Sequence, residues 1–424
     1  MIEPNIPESP LPRVVIIGAG FGGINLVQRL KHKPFQVVLI NKTNYHLFQP
    51  LLYQVATAGL EASSIAFPVR GIFSHKENFI FRLAEVLRVN TEKNKVETTI
   101  GEIAYDYLVI ATGSTSNFFG NEHFEKLGKG MKSLYEAIGL RNFGLQGLEN
   151  TLLLNDAHEK EVALNIVIVG GGPTGVELAG ALAEFRKRIF PKDYPELPPE
   201  LMSIHLVESA PRVLAHMSTK ASEDTYAYLT KMGVDIKLNT QVKDYDGTKA
   251  YLSDGTALYT KYFIWSAGVK GNVPDGMPEE VMERGARIKV NGFNQMLGSQ
   301  NVFAIGDVAQ ITTDPDLPRG HPMLAQVAIQ QGKLLSENLL RISKGQQPAV
   351  FKYKDKGTMA TIGRNKAVAD IGKMHLSGFP AWIIWMVVHL MFLMGFRNKV
   401  IVFINWVYSY FTYDRGTRIL LKRH

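Results

Sequence analysis

Two glycine clusters, one carboxylate and a pair of amides carry the most specific chemistry in this chain. Gly18, Gly20 and Gly23 hold the spacing G-x-G-x-x-G within GAGFGG, directly after the β-branched run Val14–Ile17. Gly170, Gly172 and Gly175 repeat that spacing within GGGPTG, after Asn165–Val169. A buried parallel strand that ends in such a turn and enters a helix aims free N–H groups and the positive helix end at a diphosphate. The first glycine closes the turn, the second lets backbone approach the ligand, and the third lets helix pack tightly on strand. Each cluster therefore reads as a dinucleotide cradle. Glu208, at the end of the strand Ile204–Val207, is the acidic residue such a cradle uses for the adenosine ribose hydroxyls. The matching position of the first cluster, after Phe35–Ile40, is Asn41, which can hydrogen-bond a hydroxyl without charge.

Other residues fall where a ligand would pass. Tyr107–Gly113 reads as a buried strand ending in Thr112-Gly113, small enough for a chain to cross close to a flat ring. Asn301–Asp307 reads as a short strand ending in Gly306-Asp307. Asp307 either accepts from a ribitol-type hydroxyl or caps a helix. His321–Gly332 predicts a helix beginning near Pro322, with Gln326 and Gln330 four apart on one face. Paired amides suit hydrogen bonds to carbonyls, although on an isolated helix they would face solvent. Thr43–Ala58 is rich in aromatics and amides, and reads either as a packed connector or as a segment laid along a cofactor.

The elements that must position these residues repeat. Gly18 and Ala111 are 93 positions apart, and Gly170 and Ser266, in the matching FIWSAG strand, are 96 apart. The first helix should run to about Leu30, and a Pro/Lys/Glu-rich insertion at 185–200 lengthens the path to Glu208. The fold class is thus α/β, with two Rossmann-like dinucleotide-binding halves. At 424 residues with 46% hydrophobic and 20% charged residues, large cores are available and disorder is disfavoured. The chain has no cysteine, so disulfides, thiolate metal sites and cysteine relays are excluded. The first thirteen residues, with four prolines and no apolar core, read as a disordered lead-in and not a targeting peptide.

The C-terminal part differs in kind. Gly378–Gly395 contains no Asp, Glu, Lys or Arg, and Val400–Phe411 is a second apolar, aromatic stretch. From Arg397 to the end there are six Lys/Arg against one Asp, which concentrates much of the net charge of +8 there. Aromatic faces beside basic clusters suit a membrane interface with anionic headgroups. A spanning helix, a core helix and a pair of helices lying in the membrane surface are the three placements. The short length and the cations that end the run favour the last. His389 reads as packing, and no metal site is suggested. The basic residues form no interleaved groove, so nucleic acid is not expected as a partner.

These stretches resemble the two-dinucleotide-binding flavoprotein oxidoreductases and, within them, the type II NADH:quinone oxidoreductases, the non-proton-pumping NADH dehydrogenases. The carrying motifs are GAGFGG (18–23), NYHLFQPLLYQVATA (44–58), ATG (111–113), GGGPTGVELAGAL (170–182), FAIGD (303–307), AQVAIQQG (325–332) and GFRNK (395–399). HLFQPLLYQ and AQVAIQQG are the narrower ones.

The resemblance implies non-covalent FAD on the first cradle, at Gly18, Gly20, Gly22, Gly23, Asn41, Thr112, Gly113, Gly306, Asp307 and Ala325. It implies NADH as substrate on the second, at Gly170, Gly172, Gly175 and Glu208. It divides the chain into FAD-binding parts at 1–118 and 285–350, an NADH-binding domain at 119–284, and a membrane-associated segment at 351–424. Glu177, placed by the PTGVEL motif in the first turn of its helix, is implied to lie near the nicotinamide; complementarity to the helix dipole is the plain reading. Gln326 and Gln330 are implied to bind the carbonyls of a membrane quinone, ubiquinone or menaquinone.

Glu208 would repel a 2′-phosphate and favour NADH over NADPH, a preference that nearby Arg212 would soften. Without cysteine, disulfide reductases, sulfide:quinone oxidoreductases and cysteine-dependent peroxidases are set aside. The expected protein is peripheral on the cytoplasmic side of the inner membrane, bound to the lipid surface, its oligomeric state open with a homodimer among the options. The alternatives are a flavoprotein reductase of a small redox protein, and a flavin-bearing membrane-interaction module with slow NADH oxidation.

Overall fold

The computed structural model describes residues 3–73, 78–314, 317–318, 320–414 and 416–420. Strand β1 (Arg13–Ile17) runs into helix α1 (Phe21–Leu30), and strand β2 (Gln36–Asn41) comes next. Both strands are nearly unbroken Val, Ile and Leu because a parallel strand covered on both faces has no solvent side. Helix α2 (Leu52–Ala56) precedes strands β3 (Phe79–Leu83) and β4 (Tyr107–Ile110). Helix α3 (Leu134–Leu152) starts at a capping box in which Ser133 and Glu136 satisfy each other's backbone N–H groups.

Helix α4 (Ala157–Leu164) then leads to β5 (Ile166–Val169), α5 (Pro173–Arg188), β6 (Ile204–Val207), α6 (Thr219–Lys231), β7 (Asp235–Lys237) and β8 (Tyr262–Trp265). The chain continues with β9 (Val302–Ala304) and α7 (Ala325–Ser343). It closes with β10 (Thr358–Gly363), β11 (Lys366–Ile371), β12 (Met374–Ser377), α8 (Gly378–Phe392) and α9 (Phe396–Thr412).

Two boundaries and the place of one residue depart from expectation. Helix α5 continues to Arg188, so the insertion's first four residues are helical, with Phe185 buried on the helix's inner face. Helix α7 begins at Ala325 rather than near Pro322, because Leu324 holds an extended conformation as its N-cap. Glu177 is the fifth residue of α5, and the first turn of that helix holds no acidic residue. Dipole complementarity at the first turn therefore does not account for it.

The chain forms two compact units. The first comprises Met1–Leu47, Phe67–Thr115 and Val269–Asp355. Its five-stranded sheet has the order β9-β4-β1-β2-β3, parallel throughout. Helix α1 lies on α7, brought close by glycines on both: a Cβ at Gly332 would stand 2.7 Å from the Gly22 carbonyl oxygen. The N-terminal lead-in has no helix or strand at residues 3–12, yet it is not detached. Ile6 packs on the core, the Gln36 amide donates to the Pro7 carbonyl at 2.7 Å, and Arg82 donates to the carbonyls of Pro4 and Asn5. These contacts correct the expectation of a disordered segment; residues 1–2 lie outside the described residues.

The second unit comprises Phe48–Ala66, Ser116–Gly268 and Lys356–His424. Its parallel sheet has the order β7-β6-β5-β8, so β5 sits between β6 and β8 as β1 sits between β2 and β4. An antiparallel sheet β10-β11-β12 packs on α5, where a Cβ at Gly180 would collide with the Ile362 carbonyl. Among the described residues no helix is long and apolar enough to cross a membrane. Helix α8 stops at Phe392, and Gly395, at φ +77°, turns the chain into α9. Of the basic residues after Arg397, Arg415, Lys422 and Arg423 lie outside the described residues.

Candidate functional site

The first unit builds a cradle at the end of β1. Gly18 has φ +108° and donates its N–H to the Ile40 carbonyl at 2.8 Å. A Cβ there would strike the Ala111 carbonyl, and one on Gly23 would strike the Gly18 carbonyl. Gly20 differs: a Cβ on it would meet nothing within 4 Å. Helix α1 begins at that open space with no side-chain cap, so its N-terminus is left to an external anion.

Around the opening, Gly113 has φ +71° and also faces open space. The buried Thr112 hydroxyl and His46 Nε2 have no hydrogen-bond partner. Buried polar groups normally find partners, so these orphans fit a bound group that supplies them. Asp307 Oδ2 accepts from the Ser114 hydroxyl at 2.6 Å, and Gly306, at φ +76°, donates its N–H to Gln331 Oε1 at 2.7 Å.

Asn41 holds the loop itself. Its Oδ1 accepts from the Ala19 N–H at 2.9 Å, and its Nδ2 donates to the Thr43 carbonyl at 2.7 Å. Of Thr43–Ala58, the part in this unit ends in a short strand, Tyr45–Leu47, where His46 is buried with Nδ1 2.8 Å from the Ala19 carbonyl oxygen. Ala325 and Gln326 are half-buried at the start of α7. The Gln330 amide is engaged on both sides by Lys354, donating to its carbonyl at 2.9 Å and accepting its N–H at 3.0 Å. Sequence reasoning does not single out Gln331, Ser114 or His46. The AQVAIQQG run holds the signal for Gln331, since it faces the opposite side of α7 from an i,i+4 pair.

The second unit repeats the cradle. Gly170 has φ +107°, a Cβ on Gly175 would strike the Gly170 carbonyl, and Gly172 faces open space. Pro173 opens α5 with no side-chain cap. Glu208 occupies Asn41's post: its carboxylate accepts the N–H of Gly171 and, at 2.7 Å, that of Ala210. Arg212 is turned away, donating to the carbonyls of Ala215 at 2.8 Å and Met217 at 3.1 Å. It is therefore not poised to soften Glu208's charge.

Glu177 lies elsewhere in that unit, on the wall of a cavity of about 130 Å³. The other walls come from Tyr53 and Gln54, from β10, and from Trp382, Trp385, Trp406 and Tyr410 of α8 and α9. Aromatic contacts fasten this wall: Trp385 to Trp406 and Trp382 to Tyr410, both at 5.5 Å between ring centres. Trp406 Nε1 donates to Gln54 Oε1 at 2.8 Å. Arg364 lies over the rings of Tyr410 and Tyr413, at 3.9 and 4.2 Å. Glu177 is half-buried, on the wall of that cavity. Burial pushes its pKa up to about 8, opposed weakly by the Thr361 N–H at 3.5 Å and by the Trp385 indole. That buried indole N–H completes no hydrogen bond among the described residues.

Outside the cavity, α8 and α9 expose Met391, Phe396, Phe403 and Phe411, with Phe396 at 83% and Phe411 at 76%. Such a patch marks an interaction surface. His389 stacks on Trp385 at 4.2 Å, as a packed side chain would.

Residues 12–332 match the pyridine nucleotide-disulphide oxidoreductase family, and residues 356–413 match the NDH2 C-terminal domain. Two relatives from Mycobacterium tuberculosis, the type II NADH:quinone oxidoreductases Ndh and NdhA, are each 35% identical to this chain. The alignments cover 98% and 95% of this chain and 91% and 88% of theirs. The fold is similar to that of NDH2 from Plasmodium falciparum in complex with NADH, with a TM-score of 0.88 at 22% identity over 97% of this chain and all of that one. A sulfide:quinone oxidoreductase from Aquifex aeolicus gives 0.73 at 20% identity over 94% of this chain and 95% of its own.

Proposed function

The chain belongs to the type II NADH:quinone oxidoreductases, and from that premise we propose which of its residues carry the reaction. It is a FAD-dependent enzyme that oxidises NADH and reduces a quinone. Bound FAD supplies the two-electron relay between donor and acceptor.

The first cradle holds FAD non-covalently, with Gly18, Gly20, Gly22 and Gly23 beside the diphosphate and Thr112, Gly113, Gly306, Asp307 and Ala325 around the rest. The open space at Gly20, the uncapped start of α1 and the unpartnered Thr112 hydroxyl support this assignment. Asn41 serves this cofactor by fixing the loop. The second cradle receives NADH at Gly170, Gly172 and Gly175, with Glu208 taking the ribose hydroxyls. Gln326 and Gln330 contribute to the acceptor side, Gln330 also fixing Lys354 through its amide.

Glu177 acts on the quinone rather than on the nicotinamide. The observation that carries this reading is its place on the aromatic cavity built by α8 and α9, whose outer side chains are exposed apolar groups. Those groups rest in the lipid surface on the cytoplasmic side of the inner membrane, and the cavity takes the quinone head from the bilayer. With a pKa near 8, Glu177 keeps its proton at neutral pH. A neutral carboxyl donates a hydrogen bond to a quinone carbonyl, and yields the proton as that oxygen gains electrons.

Stopped-flow absorbance separates the two half-reactions. In Glu177→Gln, flavin bleaching by NADH should stay within about twofold, while reoxidation by quinone slows at least about tenfold. Wild-type reoxidation should decline above about pH 8 as the proton is lost. Equal slowing of bleaching would return Glu177 to the nicotinamide side.

A further inference from the structure

A second cavity in the same unit lies apart from the glycine cradle and contains none of the residues assigned above to the NADH:quinone reaction. It has a volume of about 90 Å³ and lies among α3, α4 and α5, with Ala56–Ala58 closing one side. Leu148, Leu164, Leu182 and Phe185 give it a largely apolar wall. Arg141 of α3 stands on that wall and is only 6% exposed. Its Nε has no hydrogen-bond partner, and among the described residues the guanidinium has no ion pair. Glu61 acts on it only through space. A largely buried guanidinium whose Nε has no acceptor, and whose one named counter-charge acts at a distance, leaves hydrogen-bonding capacity that an anion in the cavity would use.

Helix α3 also keeps space open on this wall. A Cβ on Gly144 would lie 2.7 Å from the Tyr262 hydroxyl, so packing explains that glycine. Gly147 also lines the cavity, yet a Cβ on it would meet nothing within 4 Å. Glycine inside a helix is less favourable than alanine, and nothing in the surrounding packing demands it there. Its absence of side chain leaves the cavity unfilled.

We infer that this cavity is a binding site for a monoanionic amphiphile, a fatty carboxylate whose head pairs with Arg141 while its chain lies on the Leu148–Phe185 wall. The planar guanidinium fork matches one carboxylate in a two-point contact. One buried cation balances one negative charge, which favours a carboxylate over a doubly charged phosphate monoester. The apolar wall demands a tail, so a small anion alone leaves most of the site unused. Lys261, also on the lining, is exposed, so its charge is met by solvent and Arg141 is the buried cation the site must balance. Thr57 lines both this cavity and the one at Glu177, so an occupant would sit one side chain from the acceptor cavity.

Isothermal titration of the full-length, FAD-loaded enzyme with octanoate, octan-1-ol and acetate tests the inference. Octanoate should bind one per chain, at least about tenfold more tightly than the uncharged or the tailless probe. Arg141→Met removes the cation, and Gly147→Leu fills the space while leaving Arg141 in place. Each should weaken octanoate binding at least about tenfold while NADH:quinone turnover persists as a check on folding. Failure of the wild-type enzyme to bind octanoate overturns the site. So does unchanged affinity in either folded variant. Should Arg141→Met fail to fold, Gly147→Leu decides alone.

Discussion

Glu208 and Asn41 hold equivalent posts at the ends of β6 and β2, and each accepts a backbone N–H from its glycine loop. The difference between them is charge. An amide fixes the loop of a resident cofactor without a net charge beside its diphosphate, while a carboxylate also repels a 2′-phosphate. With Arg212 tied to the carbonyls of Ala215 and Met217, the wild-type enzyme should strongly prefer NADH. Glu208→Gln keeps an acceptor but loses the charge. The ratio of kcat/KM for NADH over NADPH should then fall at least about tenfold, and an unchanged ratio would show that charge does not set the preference. Glu177 links to pH through stability as well as rate. Its pKa rises from 4.5 to about 8 on burial, so the folded state keeps a proton that the unfolded chain has released. Between those values each rise in pH costs stability, and above about 8 the cost is constant. The Tm difference between wild type and Glu177→Gln should therefore move against the wild type from about pH 5 to 8 and then level off. A difference independent of pH would count against a raised pKa.

At the scale of elements, α8 and α9 have an inner face that builds the Glu177 cavity and an outer face that is apolar and uncovered. Phe396, Phe403 and Phe411 are spaced seven and eight apart, so they share one face of α9. Burying a phenylalanine is worth about 1.5–3 kcal/mol, so the triple change Phe396→Ser, Phe403→Ser, Phe411→Ser should weaken co-sedimentation with phospholipid vesicles at least about tenfold. Full binding by that variant would put the lipid contact elsewhere. Much of this architecture is legible in sequence. Val14–Ile17 and Ile166–Val169 can only be buried strands, and the glycine spacing fixes the tight turn and the helix at the end of each. Boundaries set by one residue's backbone are not legible, as with Leu324, whose extended conformation delays α7. Nor is the Glu177 environment. PTGVEL marks a carboxylate on a helix, but the aromatic wall of α8 and α9 that shares its cavity comes more than two hundred positions later. Arg141 is invisible for the same reason, since an arginine between Leu140 and Asn142 on a helix reads as an exposed one until burial is known.

For the whole molecule, connectivity is the governing fact. The chain passes between its two units at residues 47–48, 66–67, 115–116, 268–269 and 355–356, so neither unit is a continuous piece of sequence. The cradle proposed for FAD opens with Gly18, yet β9, Asp307 and the Gln331 that holds Gly306 follow the second Rossmann half in the chain. This order constrains biosynthesis. At about 5–20 residues per second, Ile110 leaves the ribosome on the order of ten seconds or more before Val302. Throughout that interval the nascent chain carries β4 without its neighbour β9, an open edge that is a hazard for mispairing. Flavin insertion must then be a late event in the life of the polypeptide. Ribosome-stalled chains that end before Val302 emerges should retain no flavin, and chains with Ser343 clear of the exit tunnel should retain it. Flavin on the shorter chains would mean that the opening strand and its glycine turn recruit the cofactor alone. Otherwise the cell must shelter an apoprotein with an unsealed sheet until translation is nearly complete, and riboflavin supply would limit how much of the newly made chain escapes quality control.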